Sequence, residues 1–272
     1  MKKIRYSLII PAYNEEKYLL KCLDSLIRQA YENTEVILID DGSKDNSLSI
    51  VNKYGFKVIE QKHQGPGIAR NKGVKVAKGE IFCFLDADMK YDKNYIGNLI
   101  RPIIKGEAIG TFSLEFVANK GNIWSACFSI NSDLSPGERT HERSAKESDI
   151  FRAILKSEFE KSGGFSPSLG YADDKSISTS LGKKSTISEG AISYHYNPES
   201  LREVFLSSRW IGRSTYFKRD MQTLLRFSMM NSIRNAFKKI QKGAPFPFLI
   251  FKIVYDLGLL TGVFFSGGKK AK

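Results

Sequence analysis

The sequence predicts an α/β fold: a mostly parallel sheet flanked by helices, followed by a basic, amphipathic helical tail at the C-terminus. Three observations carry that expectation. Short apolar runs alternate with helical periodicity through residues 1–106. Three of those runs end in polar clusters, PAYNE, DDGS and DAD. The last quarter is strongly cationic, since residues 200–272 hold 14 Lys and Arg against 3 Asp and Glu, most of the chain's net charge of +13.

Each element follows in order. RYSLIIP is a short apolar run closed by Pro11, and it reads as a first strand. EEKYLLKCLDSLIRQA sets Tyr18, Leu19, Cys22, Leu23, Leu26 and Ile27 at helical spacing. EVILIDDGS is a buried strand ending in Asp40, Asp41 and Gly42, and KDNSLSIVNKYG opens with capping residues as a second helix. FKVIEQ, GIARNKGVKVAKG and EIFCFLDAD then read as strand, helix and strand. Units of this spacing imply right-handed crossovers and parallel pairing. Ligands on such sheets bind at the carboxyl ends of the strands. One polar strand end would be a turn; three on that edge predict a site.

Residues 107–200 are less regular. EAIGTFSLEFVA reads as a strand, SAKESDIFRAILKSEFEKSGGF mixes strand and helix signals, and GAISYHYNP is a late strand carrying His195. From Leu201 to Gly243 the pattern is helical and basic, with Phe217, Met221, Leu224, Leu225, Ile233, Phe237 and Ile240 on one broad stripe. FLIFKIVYDLGLLTGVFF is about as long as a membrane span but contains Lys252, Asp256 and two glycines. Each charge at mid-bilayer costs about 2.5–3.5 kcal/mol on insertion scales. The expectation is therefore an interfacial helix or hairpin.

Composition narrows the class. A hydrophobic fraction of 42% with 26% charged residues excludes a largely disordered chain. Cys22, Cys83 and Cys127 are widely separated, which predicts free thiols in a reducing, cytoplasmic compartment. The apolar run before Pro11 is too short for a secretory signal. The cationic excess asks for an anionic partner. No helix-turn-helix, zinc or RNP signature accompanies it, and acidic strand ends oppose a phosphate backbone, so nucleic acid is not expected.

Asp86 and Asp88 stand two apart at a strand end, where extended backbone turns them to one face. Two such carboxylates repel. A divalent cation, Mn²⁺ or Mg²⁺, removes that cost and takes its remaining ligands from phosphate oxygens and water. A turn cap plus a solvated charge is the plainer alternative for an isolated pair. In DDGSKD, Gly42 and Ser43 suit a simple strand-to-helix turn, but the two carboxylates do not need one. A carboxylate there can accept from a base imide or ribose hydroxyls.

Taken together, SLIIPAYNEEKYL, EVILIDDGSKDNS, GPGIARNKGVKVAKGEIFCFLDAD and GGFSPSLGYADD, in that order, resemble family 2 glycosyltransferases of the GT-A (Rossmann-like) fold across roughly residues 5–215. The resemblance implies an inverting enzyme with a nucleotide-sugar donor, usually UDP-linked, and a divalent metal. It implies a nucleotide pocket lined by Pro11, Ala12, Tyr13, Asn14 and Glu15, with Asp41 on the base and Arg70 near base or phosphate. Asp86 would lie near the ribose and Asp88 would hold the metal. His195 is a further metal candidate, since some enzymes of this fold recruit a late histidine. Asp174 would be the general base, supported by Asp173; Ser176 and Ile177 depart from the acidic residue and leucine common in relatives. SSRWIGRS resembles the Arg-Trp element of processive synthases, but Leu206 replaces the expected glutamine, so processive polymerisation is not expected. Arg209, Trp210 and Arg213 remain candidates for acceptor or diphosphate contact.

The implied organisation is a GT-A domain over residues 1–215, with a nucleotide-binding half (1–106) and an acceptor half (107–215). A membrane-associating segment follows over 216–272. The implied acceptor is a glycan or lipid-linked hydroxyl, met peripherally at the cytoplasmic face of the membrane. Two alternatives stay open: a nucleotide-sugar binder without turnover, and a polyprenyl-phosphate glycosyl synthase using a GDP- or UDP-sugar.

Overall fold

A computed structural model describes residues 4–29, 33–139, 146–167, 173–214 and 217–265. The first half runs β1 (Tyr6–Ala12), α1 (Glu16–Ile27), β2 (Thr34–Asp40), α2 (Ser47–Asn52), β3 (Lys57–Glu60), α3 (Pro66–Val76) and β4 (Ile81–Phe84). Then come β5 (Met89–Tyr91), α4 (Tyr95–Ile104), β6 (Gly110–Val117), α5 (Ile123–Asn131), β7 (Glu147–Ser148), β8 (Ala153–Leu155), α6 (Lys156–Ser162) and α7 (Ser176–Leu181). The chain continues through β9 (Ser185–His195), α8 (Leu201–Gly212), α9 (Met221–Arg226), α10 (Met229–Gln241) and α11 (Phe248–Phe265).

Among the described residues the strands form one sheet in the order β3-β2-β1-β4-β8-β6-β9-β5, with β7 also on β9. The expected parallel pairing holds for β1 to β4. The second half is mixed: β8 runs antiparallel to both β4 and β6, while β6 and β9 are parallel. The first strand does not stop at proline. Pro11 sits within β1 opposite Ile39, and alternation along the strand turns its nitrogen to the β4 side, beyond the point where β4 ceases to pair, so no ladder bond is lost.

Both faces of β1 and β4 are covered, which is why they read as apolar runs. Leu8 and Ile10 of β1 pack with Leu19 and Leu23 of α1 and with Tyr95 and Leu99 of α4. Ile9, Ile37 and Ile39 face the other way, onto Ala69 of α3, Phe159 of α6 and Ile177 of α7.

The apolar C-terminal segment is a single helix, α11, packed against α8 and α5. Phe248 and Phe251 join Cys127 of α5, Val204 of α8 and Ala236 of α10 in a third cluster. Close approach to α8 depends on glycine. A Cβ on Gly262 would lie 2.2 Å from the Arg209 carbonyl oxygen, and one on Gly258 would lie 1.9 Å from Ser208 Oγ. The two charges that spoil a membrane span satisfy each other: Lys252 donates to buried Asp256 at 2.7 Å, and Ser232 of α10 donates to its second oxygen at 2.7 Å. The proposed boundary at 215/216 and the last residues, 266–272, lie outside the described residues.

Candidate active site

The carboxyl ends of β1, β2 and β4 open on one edge. After β1, Asn14 takes a positive φ of 56°, a conformation that asparagine tolerates better than most residues. Its side chain accepts from the Lys44 amide at 2.8 Å, and its own amide donates to Ser43 Oγ at 3.0 Å. The Tyr13–Glu15 loop is thereby stitched to the turn after β2. Asp41 is buried and gathers the loop after β3, accepting from Gln61 Nε2 (2.7 Å), Gln64 N (2.9 Å) and Gly65 N (2.8 Å). His63 Nδ1 lies 2.9 Å from the same carboxylate, and its ring stacks on Tyr13 at 3.8 Å. Tyr13, Gly42, Lys44, Gln61 and His63 border an open cleft, with Pro11 and Ala12 forming the last residues of β1 behind it.

Asp86 and Asp88 are held by different partners, while Asp88 still feels the charge of Asp86. Strand β4 ends at Phe84, one residue before the apolar run does, and the backbone turns before β5. Side-chain alternation is lost with the extended backbone, so each carboxylate finds a different partner. Asp86 accepts from Arg70 Nη2 at 2.7 Å on one oxygen and from Arg152 Nη1 at 2.6 Å on the other. Burial pushes its carboxyl up, but Arg152 and Arg70 outweigh burial and hold it well below the usual range. Asp88 Oδ2 lies 3.2 Å from His195 Nε2, brought there by the antiparallel pairing of Met89 with His195. Burial opposes ionisation of Asp88 as well, and His195 tips it downward. Glu15 sits beside the pair; burial and then the charge of Asp88 raise its carboxyl well above normal.

Asp88 and His195 offer a carboxylate, a ligand type for Mg²⁺ or Mn²⁺, and an imidazole, a ligand type common to transition metals. Asp88 Oδ2 and His195 Nε2 face each other, while His195 Nδ1 is buried without a partner, so only its Nε2 edge meets polar groups. Among the described residues no three His, Cys, Asp or Glu side chains converge as a metal cage. Magnesium-type sites take one or two carboxylates plus substrate phosphates, and Asp88 supplies one such carboxylate.

Asp173 is buried beside the N-terminus of α3, and a Cβ on Gly67 would lie 2.5 Å from its Oδ2. Arg70 Nη1 reaches Asp173 Oδ1 at 3.4 Å, so a single guanidinium links Asp86 to the acidic loop. Burial raises the Asp174 carboxyl to about 6; Arg70 opposes that rise and Asp173 adds to it. Asp173 is raised too, by burial against the pull of Arg70. Trp210 of α8 borders a small pocket with Asp173, Gly67 and Pro167. Arg213 is lowered by burial and by the neighbouring Arg209, whose Nε is buried without a partner.

Three residues here escaped sequence reasoning. Arg152 is buried and forks between Asp86 and Glu115, with Nε and Nη2 donating to Glu115 Oε1 at 2.9 and 2.6 Å. Arg139 Nη2 lies 3.3 Å from His195 Nε2 and its Nη1 donates to Asn197 Oδ1 at 2.8 Å. Glu115 and Arg152 had a visible signal, a charge inside the apolar runs SLEFV and IFRAIL. Arg139, in a loop, had none.

Comparison with known proteins agrees with this architecture. The family described as "Glycosyl transferase family 2" matches residues 7–165, more than half the chain. The chain belongs to that family. Over 100 residues it is 41% identical to "Putative glycosyltransferase EpsH" of Bacillus subtilis, covering 35% of this chain and 29% of that one. The chain thus spans less than a third of that relative's length. Its fold resembles "S. aureus TarS 1-349 in complex with UDP", with a TM-score of 0.59 at 18% identity, covering 94% of this chain and 89% of that one. It also resembles "Mannosyltransferase PcManGT from Pyrobaculum calidifontis in complex with GDP-Man and Mn2+", with a TM-score of 0.61 at 19% identity, covering 97% and 73%. These likenesses establish the GT-A fold.

Proposed function

We propose that this chain is an inverting glycosyltransferase that moves a sugar from a nucleotide-diphosphate donor, UDP-linked, to a hydroxyl of a glycan or lipid-linked acceptor. The observation that carries the reading is the Asp86–Arg70–Asp173 bridge. It joins the strand-end cleft, where a nucleotide fits, to a raised carboxylate suited to proton transfer. The UDP complex of the fold neighbour TarS and the GDP-mannose and Mn²⁺ complex of PcManGT support a nucleotide-sugar donor and a metal.

In this reading Tyr13 and the loops held by Asn14 and Asp41 receive the nucleoside, and Asp86 lies toward the ribose. Asp88 and His195 would hold a divalent cation, which supplies Lewis-acid neutralisation of the diphosphate. Asp174 takes the proton from the acceptor hydroxyl as that oxygen bonds to the anomeric carbon. The bond from that carbon to the diphosphate oxygen breaks on the opposite face, giving inversion. A carboxyl raised to about 6 is ionised at neutral pH yet basic enough for the task. Arg209, Trp210 and Arg213 border the acceptor side. The three buried, unpaired cysteines support work in a reducing cytoplasm.

Titration of UDP with and without Mn²⁺, followed by calorimetry, tests the assignment. Mn²⁺ should strengthen UDP binding to the wild type and leave Asp88→Asn unaffected; equal Mn²⁺ dependence in both proteins would overturn it.

A further inference from the structure

Helix α9 has no buried residue. Its apolar side chains all face outward: Met221 is 67% exposed and Leu225 is 58% exposed, with Leu224 beside them. At the start of α10, Met229 and Met230 continue the patch at 68% and 82% exposure, and Phe237 follows two turns later. Exposed apolar side chains are ordinary singly, but a run of this kind marks an interaction surface.

The same stretch is cationic. Lys218, Arg219, Arg226, Arg234, Lys238 and Lys242 are all exposed, and the one acid between Phe217 and Tyr255 is Asp220, which caps α9 through the Thr223 amide. Along α10, Met230, Arg234, Phe237 and Lys238 share one outward face, opposite Ser232 and Ala236, which are buried. Apolar anchors flanked by cations on one helical face are the pattern of an interfacial helix.

We propose that α9 and the outward face of α10 dock this protein on an anionic lipid surface, where it lies peripherally without spanning the bilayer. Charge chooses the occupant. A second copy meeting the same face would bring six like charges against six, whereas phosphate headgroups complement them. Each cation near an anionic surface strengthens partition about fivefold. α11 is long and apolar enough to cross a membrane by length and composition, yet 39% of it is buried in the protein. The glycine contacts with α8 and the Lys252–Asp256 pair fasten it to the body, so it backs the docking face and does not leave it. The inference concerns location and rests on no step of sugar transfer.

The test is co-sedimentation of the full chain with vesicles of phosphatidylcholine alone or mixed equally with phosphatidylglycerol. The wild type should sediment with the mixed vesicles and be released by high salt. An Arg234→Gln, Lys238→Gln pair should weaken that binding roughly 25-fold, two cations at about fivefold each. A Leu225→Ser, Met230→Ser pair should abolish it. Both pairs are exposed, and unchanged thermal stabilisation by UDP confirms that fold and donor site are intact. Wild type left in the supernatant, or both variants binding like wild type, overturns the proposal. A concentration-dependent dimer abolished by Leu225→Ser, Met230→Ser, with no vesicle binding, assigns the face to a second copy and overturns it equally.

Discussion

At the strand ends, Glu115, Arg152, Asp86, Arg70 and Asp173 form an unbroken run in which each charge touches the next. Over residues 218–242, on and flanking α9 and α10, six exposed cations stand among methionines and leucines with a single acid between them. The first region keeps its charges out of water and must therefore pair them. The second leaves its charges in water and exposes apolar surface instead. Pairing inside the protein makes a site with fixed geometry, while charge exposed on a surface is available to something outside it. The glycine-lined contact of α8 and α11 joins the two regions.

The largest effect should come from the strand-end side. Asp174→Asn should lower turnover about 10²–10⁴-fold while sparing UDP affinity, as removal of a general base does. In the wild type, the base form is needed, so turnover should rise as pH climbs through about 6 and level off above it. The variant should lack that limb; a retained limb would move the base elsewhere, with Asp173 the next carboxylate to test.

Arg152→Met should test whether the buried run behaves as one unit. It strips a cation from two carboxylates, Asp86 and Glu115, and should cost about 3–5 kcal/mol of stability in urea unfolding. Gly262→Leu attacks the join instead. Its Cβ would press on the Arg209 carbonyl, and overpacking of this kind costs about 1–3 kcal/mol. The same scans should show a loss there without a change in Mn²⁺-dependent UDP binding. The smallest effect is Asn122→Ala. Asn122 caps α5 by accepting from the Trp124 and Ser125 amides, and its removal should cost about 1 kcal/mol.

Much of the first half was legible because local rules and tertiary structure agree there. Alternating apolar runs and helical stripes gave β1 to β4 and α1 to α3 in order, since the central strands β1 and β4 are buried on both faces and the helices between them carry apolar stripes. The mixed pairing of β8 with β4 and β6 was not legible: an antiparallel insertion depends on which strands leave an edge free, not on the composition of AIL. The different partners of Asp86 and Asp88 were hidden for a related reason. Extended backbone predicts one face for both, but the chain leaves the strand at Phe84, and the arginines that claim Asp86 come from α3 and from the residue just before β8.

The amino-acid sequence by itself determined the class of fold, the edge on which the polar clusters gather, and the cationic bias of the C-terminal helices. Those are properties of periodicity and composition, carried by each segment alone. Tertiary structure decided which charges meet. Asp88 reaches His195 only because β5 pairs with β9, and Asp86 is tied to Asp173 only through Arg70. It also decided that α11 is held against α8 while the face of α9 and α10 stays open. Contacts between residues dozens of positions apart depend on how the sheet closes and how helices cross, and no local pattern encodes that.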